Sequence, residues 1–266
     1  MKTSIFQLLI LAAPCLYAQS VANLDFDFQH GTVISNQYAS LGVNISVTSD
    51  GNDDLNIGIV YDSELGGTDG GSIDGADTDL ERLSPGGGGN GNAGGWTAGN
   101  IPDFANFNAG GLLVIQENDE EAAPPTFGTG PNQVTSASNF NPDDNGDGGV
   151  ITFDLEVSRG YTNFSSILAD FEGDATEDFQ IAVTGGGVTE IFDFLDFSVD
   201  VADTGNNSIV ALPELALSTG AVLESVEFRF IQSSGSISGV VFSVPEPSSV
   251  CLLGLGGLFL FKRRRN

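Results

Sequence analysis

The residues of this 266-residue chain best suited to chemistry form the segment N-P-D-D-N-G-D-G-G, in its second half. The pattern D-x-[DN]-x-[DN]-G, which opens many calcium loops, is matched there by Asp143, Asn145, Asp147 and Gly148. In such a loop alternate side-chain oxygens converge on Ca²⁺, and the glycine permits the tight turn between them. The spacing therefore predicts a calcium site, in which Asp154, at position twelve, is a candidate closing ligand.

The segment departs from a helix-loop-helix calcium site in two ways. Position twelve is an aspartate where an EF-hand has glutamate, and it falls within a predicted strand with no helix on either side. Two interpretations therefore stay open, a calcium loop grafted between strands and an ordinary turn rich in Asp, Asn and Gly. A second, less specific acidic group is formed by Asp74, Asp77, Asp79 and Glu81.

The only tryptophan, Trp96, lies in the segment G-G-W-T, within a glycine-rich stretch. An exposed indole could stack on a sugar ring and make this a glycan-binding site. Alternatively, burial of the large aromatic side chain could pin the glycine-rich stretch to the core.

Catalytic residue combinations are scarce. His30 is the only histidine, and the stretch from Asn23 to Ser243 contains no cysteine, which excludes thiol proteases and multi-histidine zinc sites. A Ser-His-Asp triad would have to use His30 without a recognisable nucleophile elbow. Carboxylate pairs of the glycosidase type stay open, because acidic residues are abundant. The expectation is a protein that is not an enzyme.

The charge of the chain limits its partners. The net charge is −28, and the stretch from Asn23 to Ser243 holds 35 acidic residues against three arginines. A protein with this negative charge repels nucleic acid and anionic membrane surfaces, so neither is an expected partner. The acidity either keeps an exported protein soluble or supplies cation ligands.

The secondary structure that would position the candidate site residues is predicted to consist of strands. In V-I-T-F-D-L-E-V, which starts at Val150, apolar and polar residues alternate, as in a half-buried strand. The same alternation occurs around Phe228 and from Leu24 to Phe28. Further strands are predicted at Leu41–Val47, Leu55–Tyr61, Leu112–Gln116, Phe164–Phe171, Phe179–Val183, Val188–Leu195, Ser208–Leu212 and Ile237–Phe242. Many short strands with Gly, Asp and Asn turns predict an all-β ectodomain, a sandwich of the jelly-roll or lectin-like kind.

The predicted organisation has three parts. Residues 1–22 are a signal peptide, residues 23–243 are the ectodomain, and residues 244–266 are a C-terminal tail. The glycine-rich insertion at 62–111 interrupts the strands of the ectodomain, and a loop of this length is either functional or flexible.

The tail has the composition of a short membrane anchor. Its apolar segment runs from Val250 to Phe261, which is 12 residues, or 14 counted from Ser248, and the longer count would make a helix of about 21 Å, against a hydrocarbon core of about 30 Å. Basic residues after the segment hold the end of the chain on the cytoplasmic side of the membrane. The residues that flank this short transmembrane helix are Pro245, Glu246 and Pro247 before it, and Lys262, Arg263, Arg264 and Arg265 after it.

In its P-E-P triplet, apolar segment and basic end, this tail resembles the PEP-CTERM sorting signal of Gram-negative bacteria. The resemblance implies processing by a membrane protease-transpeptidase of the exosortase type and export to the cell surface or extracellular matrix. It further implies association with exopolysaccharide. A plain C-terminal anchor that is never cut is the alternative.

The N-terminus is typical of a cleavable secretory signal peptide. Lys2 is followed by an apolar stretch and a small-residue zone, which predicts cleavage after Ala18 or Ala22. The two cysteines, Cys15 and Cys251, then lie in the signal peptide and in the tail. No disulfide is therefore expected to stabilise the mature ectodomain.

Overall fold

The structure is a computed structural model. It describes residues 21–28, 31–50, 56–63, 80, 97–98, 110–116, 147–171, 178–193, 208–231 and 235–244. Two short 3₁₀ turns, Ala39–Leu41 and Val157–Arg159, lie in these ranges. The strands within them are β1 (Val21–Leu24), β2 (Val33–Ile34), β3 (Val43–Ser49), β4 (Gly58–Asp62), β5 (Thr97–Ala98), β6 (Gly111–Ile115), β7 (Gly148–Leu155), β8 (Asn163–Phe171), β9 (Asp178–Gly185), β10 (Val188–Asp193), β11 (Ser208–Ala211), β12 (Leu215–Ala216), β13 (Ser225–Ile231) and β14 (Ser236–Ser243).

These strands form two sheets. The smaller sheet has the order β10-β9-β13-β7-β3, and the larger has the order β2-β4-β6-β14-β8-β11-β5. In the larger sheet β1 also pairs with β14, and β12 pairs with β8. Apart from the parallel pair of β11 and β5, every strand pair in the described part of the chain is antiparallel.

The two sheets pack face to face through aromatic side chains. Phe153 of the smaller sheet lies 6.0 Å from Phe242 of the larger, and Phe228 lies 6.2 Å from Phe164, measured between ring centroids. All four rings are buried, and burying a phenylalanine side chain contributes about 1.5–3 kcal/mol to stability. The predicted all-β sandwich is therefore confirmed.

Strand alternation explains how the smaller sheet covers the core. In β3 and β13 each second residue is buried, and the residues between them face outwards. The strands predicted from alternation at Val150 and around Phe228 are confirmed as β7 and β13.

The alternation from Leu24 to Phe28 is not a strand, and this prediction is wrong. β1 ends at Leu24, and Phe26 adopts a φ of 49°, in the left-handed region that non-glycine residues rarely occupy. Leu24 and Phe26 are nevertheless buried, and Asp25 and Asp27 are exposed. The alternation therefore predicted correctly which side chains are buried, although the backbone forms a turn there.

The larger sheet is buried on both faces where β4 and β6 pair. Val60, Leu113 and Ile115 face the sandwich core, whereas their strand neighbours belong to a second cluster on the opposite face. That second cluster consists of Ile59, Tyr61, Leu80, Leu112, Val114, Ala169 and Ile209. Burial on both faces explains why the strand sequence G-L-L-V-I is continuously apolar.

The glycine-rich insertion at 62–111 is tied to the larger sheet at three described points. Both the backbone N–H and the hydroxyl of Ser63 donate hydrogen bonds to the carbonyl of Gly110, at 3.2 and 2.9 Å, which closes the base of the insertion. Leu80 is fully buried in the second cluster. Thr97 and Ala98 extend the sheet beside β11. These contacts tie the described residues of the insertion to the larger sheet.

Candidate functional site

An open groove of about 610 Å³ lies on the outer face of the larger sheet. We call it the outer-face groove. Its volume is in the range of ordinary ligand sites. It is lined by residues of β1, β8, β11 and β14 and of the loops beside them, namely Asn23, Leu24, Asp25, Asp27, Gly110, Ser165, Ser166, Ile167, Ala211, Leu212, Ser238, Gly239 and Val241.

The floor of the groove follows from strand alternation. In β8, Phe164 and Leu168 point into the core, so Ser165 and Ile167 face the opposite side. In β1, Leu24 faces the core and Asn23 is exposed. Hydroxyl and amide groups therefore stand beside apolar side chains on one strand surface.

A turn after β1 places two carboxylates at the groove. Asp25 and Asp27 are both exposed, and the buried side chain of Phe26 lies between them in sequence. The backbone N–H of Phe26 donates a hydrogen bond to the hydroxyl oxygen of Tyr38 at 2.9 Å, and that of Phe28 donates to the carbonyl of Phe26 at 2.7 Å. These bonds hold the unusual φ of Phe26 and so fix the backbone of the turn that carries the two aspartates.

Tyr38 is itself held neutral by its surroundings. Burial is the main cause that raises the pKa of Tyr38 to about 12, and the nearby negative charge of Asp25 acts in the same direction. The hydroxyl that supports the turn therefore stays protonated throughout the physiological pH range. The phenol ring also packs edge-on against Phe26 and Phe28, with centroids 5.9 and 5.8 Å away.

The groove combines polar and apolar groups. The carboxylate and amide oxygens can accept hydrogen bonds, the amide N–H groups can donate them, and the serine hydroxyls can do both, while Ile167 and Val241 provide apolar contact. None of the described residues that line it is basic or aromatic. Asp25 and Asp27 place negative charge at the groove, which disfavours anionic ligands.

The residues of the predicted calcium motif are only partly described. Asp143 and Asn145 lie outside the described residues, whereas Asp147 is exposed just before β7. Asp154 lies near the far end of that strand, about 20 Å from Gly148 at about 3.3 Å per residue. Ligands of one Ca²⁺ ion all lie within about 2.6 Å of it, so the structure does not bring Asp147 and Asp154 to one site.

Asp154 has other neighbours. Its register partners are Asn44 of β3 and Ser225 of β13, on the outer face of the smaller sheet. Among the described residues, no group of three or more His, Cys, Asp or Glu side chains is arranged to hold a metal ion.

The other predicted site residues lie outside the described residues. They are Trp96, His30, the acidic group Asp74, Asp77, Asp79 and Glu81, the triplet Pro245, Glu246 and Pro247, and the basic end Lys262, Arg263, Arg264 and Arg265. Trp96 immediately precedes β5, which pairs with β11. Over the ranges that the structure covers, no helix is long and apolar enough to span a membrane.

Sequence reasoning did not identify the outer-face groove. The exposed positions of Asp25 and Asp27 were visible in the alternation, but their neighbours Ser165 and Val241 are more than a hundred residues away. Only the pairing of β1 with β14, and of β14 with β8, brings these residues onto one surface.

Comparison with known proteins identifies the C-terminal tail. Residues 243–265 match the PEP-CTERM protein-sorting motif. No curated protein matches the chain. The motif is that of an exported substrate of an exosortase membrane enzyme, and the predicted sorting signal is confirmed.

Proposed function

We propose that this protein is a non-catalytic component of the cell surface or extracellular matrix that associates with exopolysaccharide. The outer-face groove is the glycan contact in this proposal. The observation that carries it is the placement of Asn23, Asp25, Asp27 and Ser165 along one open groove on an exported protein.

The charge of the protein favours a neutral polysaccharide. A net charge of −28 repels uronate-rich and sulfated polymers over distances of about a Debye length, roughly 8 Å at physiological salt. The carboxylates of Asp25 and Asp27 can still accept hydrogen bonds from neutral sugar hydroxyls, and such charge-assisted bonds are stronger than neutral ones.

Replacing Asn23 and Asp27 together with alanine is expected to weaken glycan binding about tenfold or more. Each lost hydrogen bond contributes about 0.5–1.5 kcal/mol, or up to about 3 kcal/mol where one partner is charged, and about 1.4 kcal/mol corresponds to tenfold in affinity. The measurement uses a glycan array carrying neutral and uronate-containing oligosaccharides, followed by calorimetry with the best neutral ligand.

Asn44→Ala provides the matched control, because Asn44 is an exposed strand residue on the outer face of the smaller sheet. It should leave binding unchanged. Equal affinities of the wild type and the Asn23→Ala/Asp27→Ala variant would contradict the groove as the contact. Loss of binding in Trp96→Ala alone, with the melting temperature preserved, would assign the contact to a stacking indole at Trp96 instead.

A calcium-dependent glycan-binding module is the second candidate. It is favoured by the start of β7, where the exposed Asp147 precedes Gly148 and Gly149, with φ values of 91° and 149°. A calcium loop needs a glycine with this freedom after its third ligand. In this candidate Asp143, Asn145 and Asp147 supply oxygen ligands, without Asp154.

Calcium is expected to raise the melting temperature of the exported protein by about 3–6 °C. A site with a Kd of about 0.1 mM would stabilise the folded state by roughly 1.4 kcal/mol at about 1 mM calcium. For a domain of this size that stabilisation corresponds to the stated shift. Thermal unfolding with calcium and with EDTA measures it.

The Asp143→Ala/Asp147→Ala variant is expected to lose this response. An unchanged melting temperature in the wild type would reject the site. An equal shift in wild type and variant would place the ion elsewhere, and the group from Asp74 to Glu81 would be examined next.

A further inference from the structure

The first strand of the domain pairs with its last. Val21 and Ala22 of β1 lie opposite Ser243 and Phe242 of β14, and the register continues to Leu24 opposite Val240. The first and last strands of the domain are therefore neighbours in the larger sheet.

Ala22 belongs to the folded core rather than to a leader. Its side chain is fully buried in the main hydrophobic cluster, as is that of Leu24. Cleavage after Ala22 would remove half of β1 and would leave a charged α-amino group on Asn23, opposite Val241 within the sheet. The part of β14 opposite Val21 and Ala22 would lose these backbone partners.

The other end of the strand pair is held equally firmly. The carbonyl of Ser243 accepts a hydrogen bond from the backbone N–H of Thr162 at 3.0 Å, and Val244 packs against the main cluster. The matched sorting motif begins at residue 243, so no free linker separates it from the core strand.

We propose that the export signal is removed at the Ala18–Gln19 bond, so that the mature chain begins at Gln19 and keeps all of β1. The step is hydrolysis by the signal peptidase of the export pathway. Water adds across the peptide bond, Ala18 leaves with a new carboxylate, and Gln19 gains the free amino group. Two residues, Gln19 and Ser20, then separate the new terminus from the strand.

The test expresses the full chain in its exporting host and measures the intact mass of the released protein. The expected mass is that of a chain that begins at Gln19, and the mass of a chain that begins at Asn23 would overturn the proposal. Fragment masses of the N-terminal and C-terminal peptides assign the two ends separately, so that removal of the signal and sorting are measured independently. An unexpected N-terminus is thus distinguishable from a C-terminal sorting signal that was not processed.

A variant provides an independent measurement. Gln19→Pro places a residue without a backbone N–H, and with a fixed φ, directly after the proposed bond, while leaving β1 and the Ala22–Asn23 bond unchanged. We expect the uncleaved precursor to accumulate in membranes. Normal processing of Gln19→Pro, with a mature terminus at Asn23, would overturn the proposal.

Discussion

Replacing Phe228 with alanine is expected to lower the free energy of unfolding by about 3–5 kcal/mol. Phe228 is fully buried in the central strand of the smaller sheet, and its ring lies 5.5 Å from Phe153 and 6.2 Å from both Phe164 and Phe179. The substitution removes the aromatic pairs and leaves a cavity between the two sheets. Thermal unfolding should show a melting temperature lower by about 6–20 °C.

Ile191→Ala is the control for this change. Ile191 lies in the smaller sheet but is 52% exposed, so its truncation should alter stability by no more than about 0.5 kcal/mol. A loss below about 1 kcal/mol in Phe228→Ala would mean that the two sheets do not pack through this ring.

The second large effect is expected from Gly111→Ala. A methyl group on Gly111 would lie 2.0 Å from the carbonyl oxygen of Phe26, a backbone atom in the turn that carries Asp25 and Asp27. Because that turn is held by the bond from Phe26 to Tyr38, the clash cannot be relieved cheaply. We expect a loss of about 3 kcal/mol, at the upper end for overpacked sites, measured by denaturant unfolding.

Its neighbour Gly110 supplies a matched control. Gly110 has a φ of 62° but open space around it, so Gly110→Ala reports backbone strain without a clash, at about 1–2 kcal/mol. If Gly111→Ala were no more destabilising than Gly110→Ala, the close approach to Phe26 would be contradicted.

Alternation predicted two strands that bury one face, β7 and β13. β13 follows it through its whole length and β7 from Gly149 onwards, because one side of each strand faces the core and the other faces outwards. The strand predicted at Leu112–Gln116 is β6, and its continuously apolar sequence reflects burial on both faces. The failure at Phe26 has a different origin, since a tertiary hydrogen bond from the Phe26 backbone N–H to the Tyr38 hydroxyl oxygen stabilises a turn that no local pattern indicates.

Other features depend on contacts too distant for sequence patterns. The strands β2, β5 and β12 have two residues each, which is too short for any periodicity. The attachment of the insertion through Leu80, and the assembly of the outer-face groove, both require knowledge of which strands are neighbours. The sorting motif, in contrast, is contiguous, and its resemblance to a known sorting signal was enough to predict it.

The pairing of β1 with β14 also determines when this domain can fold. The two strands are separated by more than two hundred residues, and β14 lies between β6 and β8 inside the larger sheet. Contacts of such high sequence separation form slowly, because the entropy of closing the chain is lost before they stabilise it. The sheet cannot close until its last strand has crossed the membrane, so we expect the chain to stay unfolded, and therefore competent for translocation, until export is almost complete.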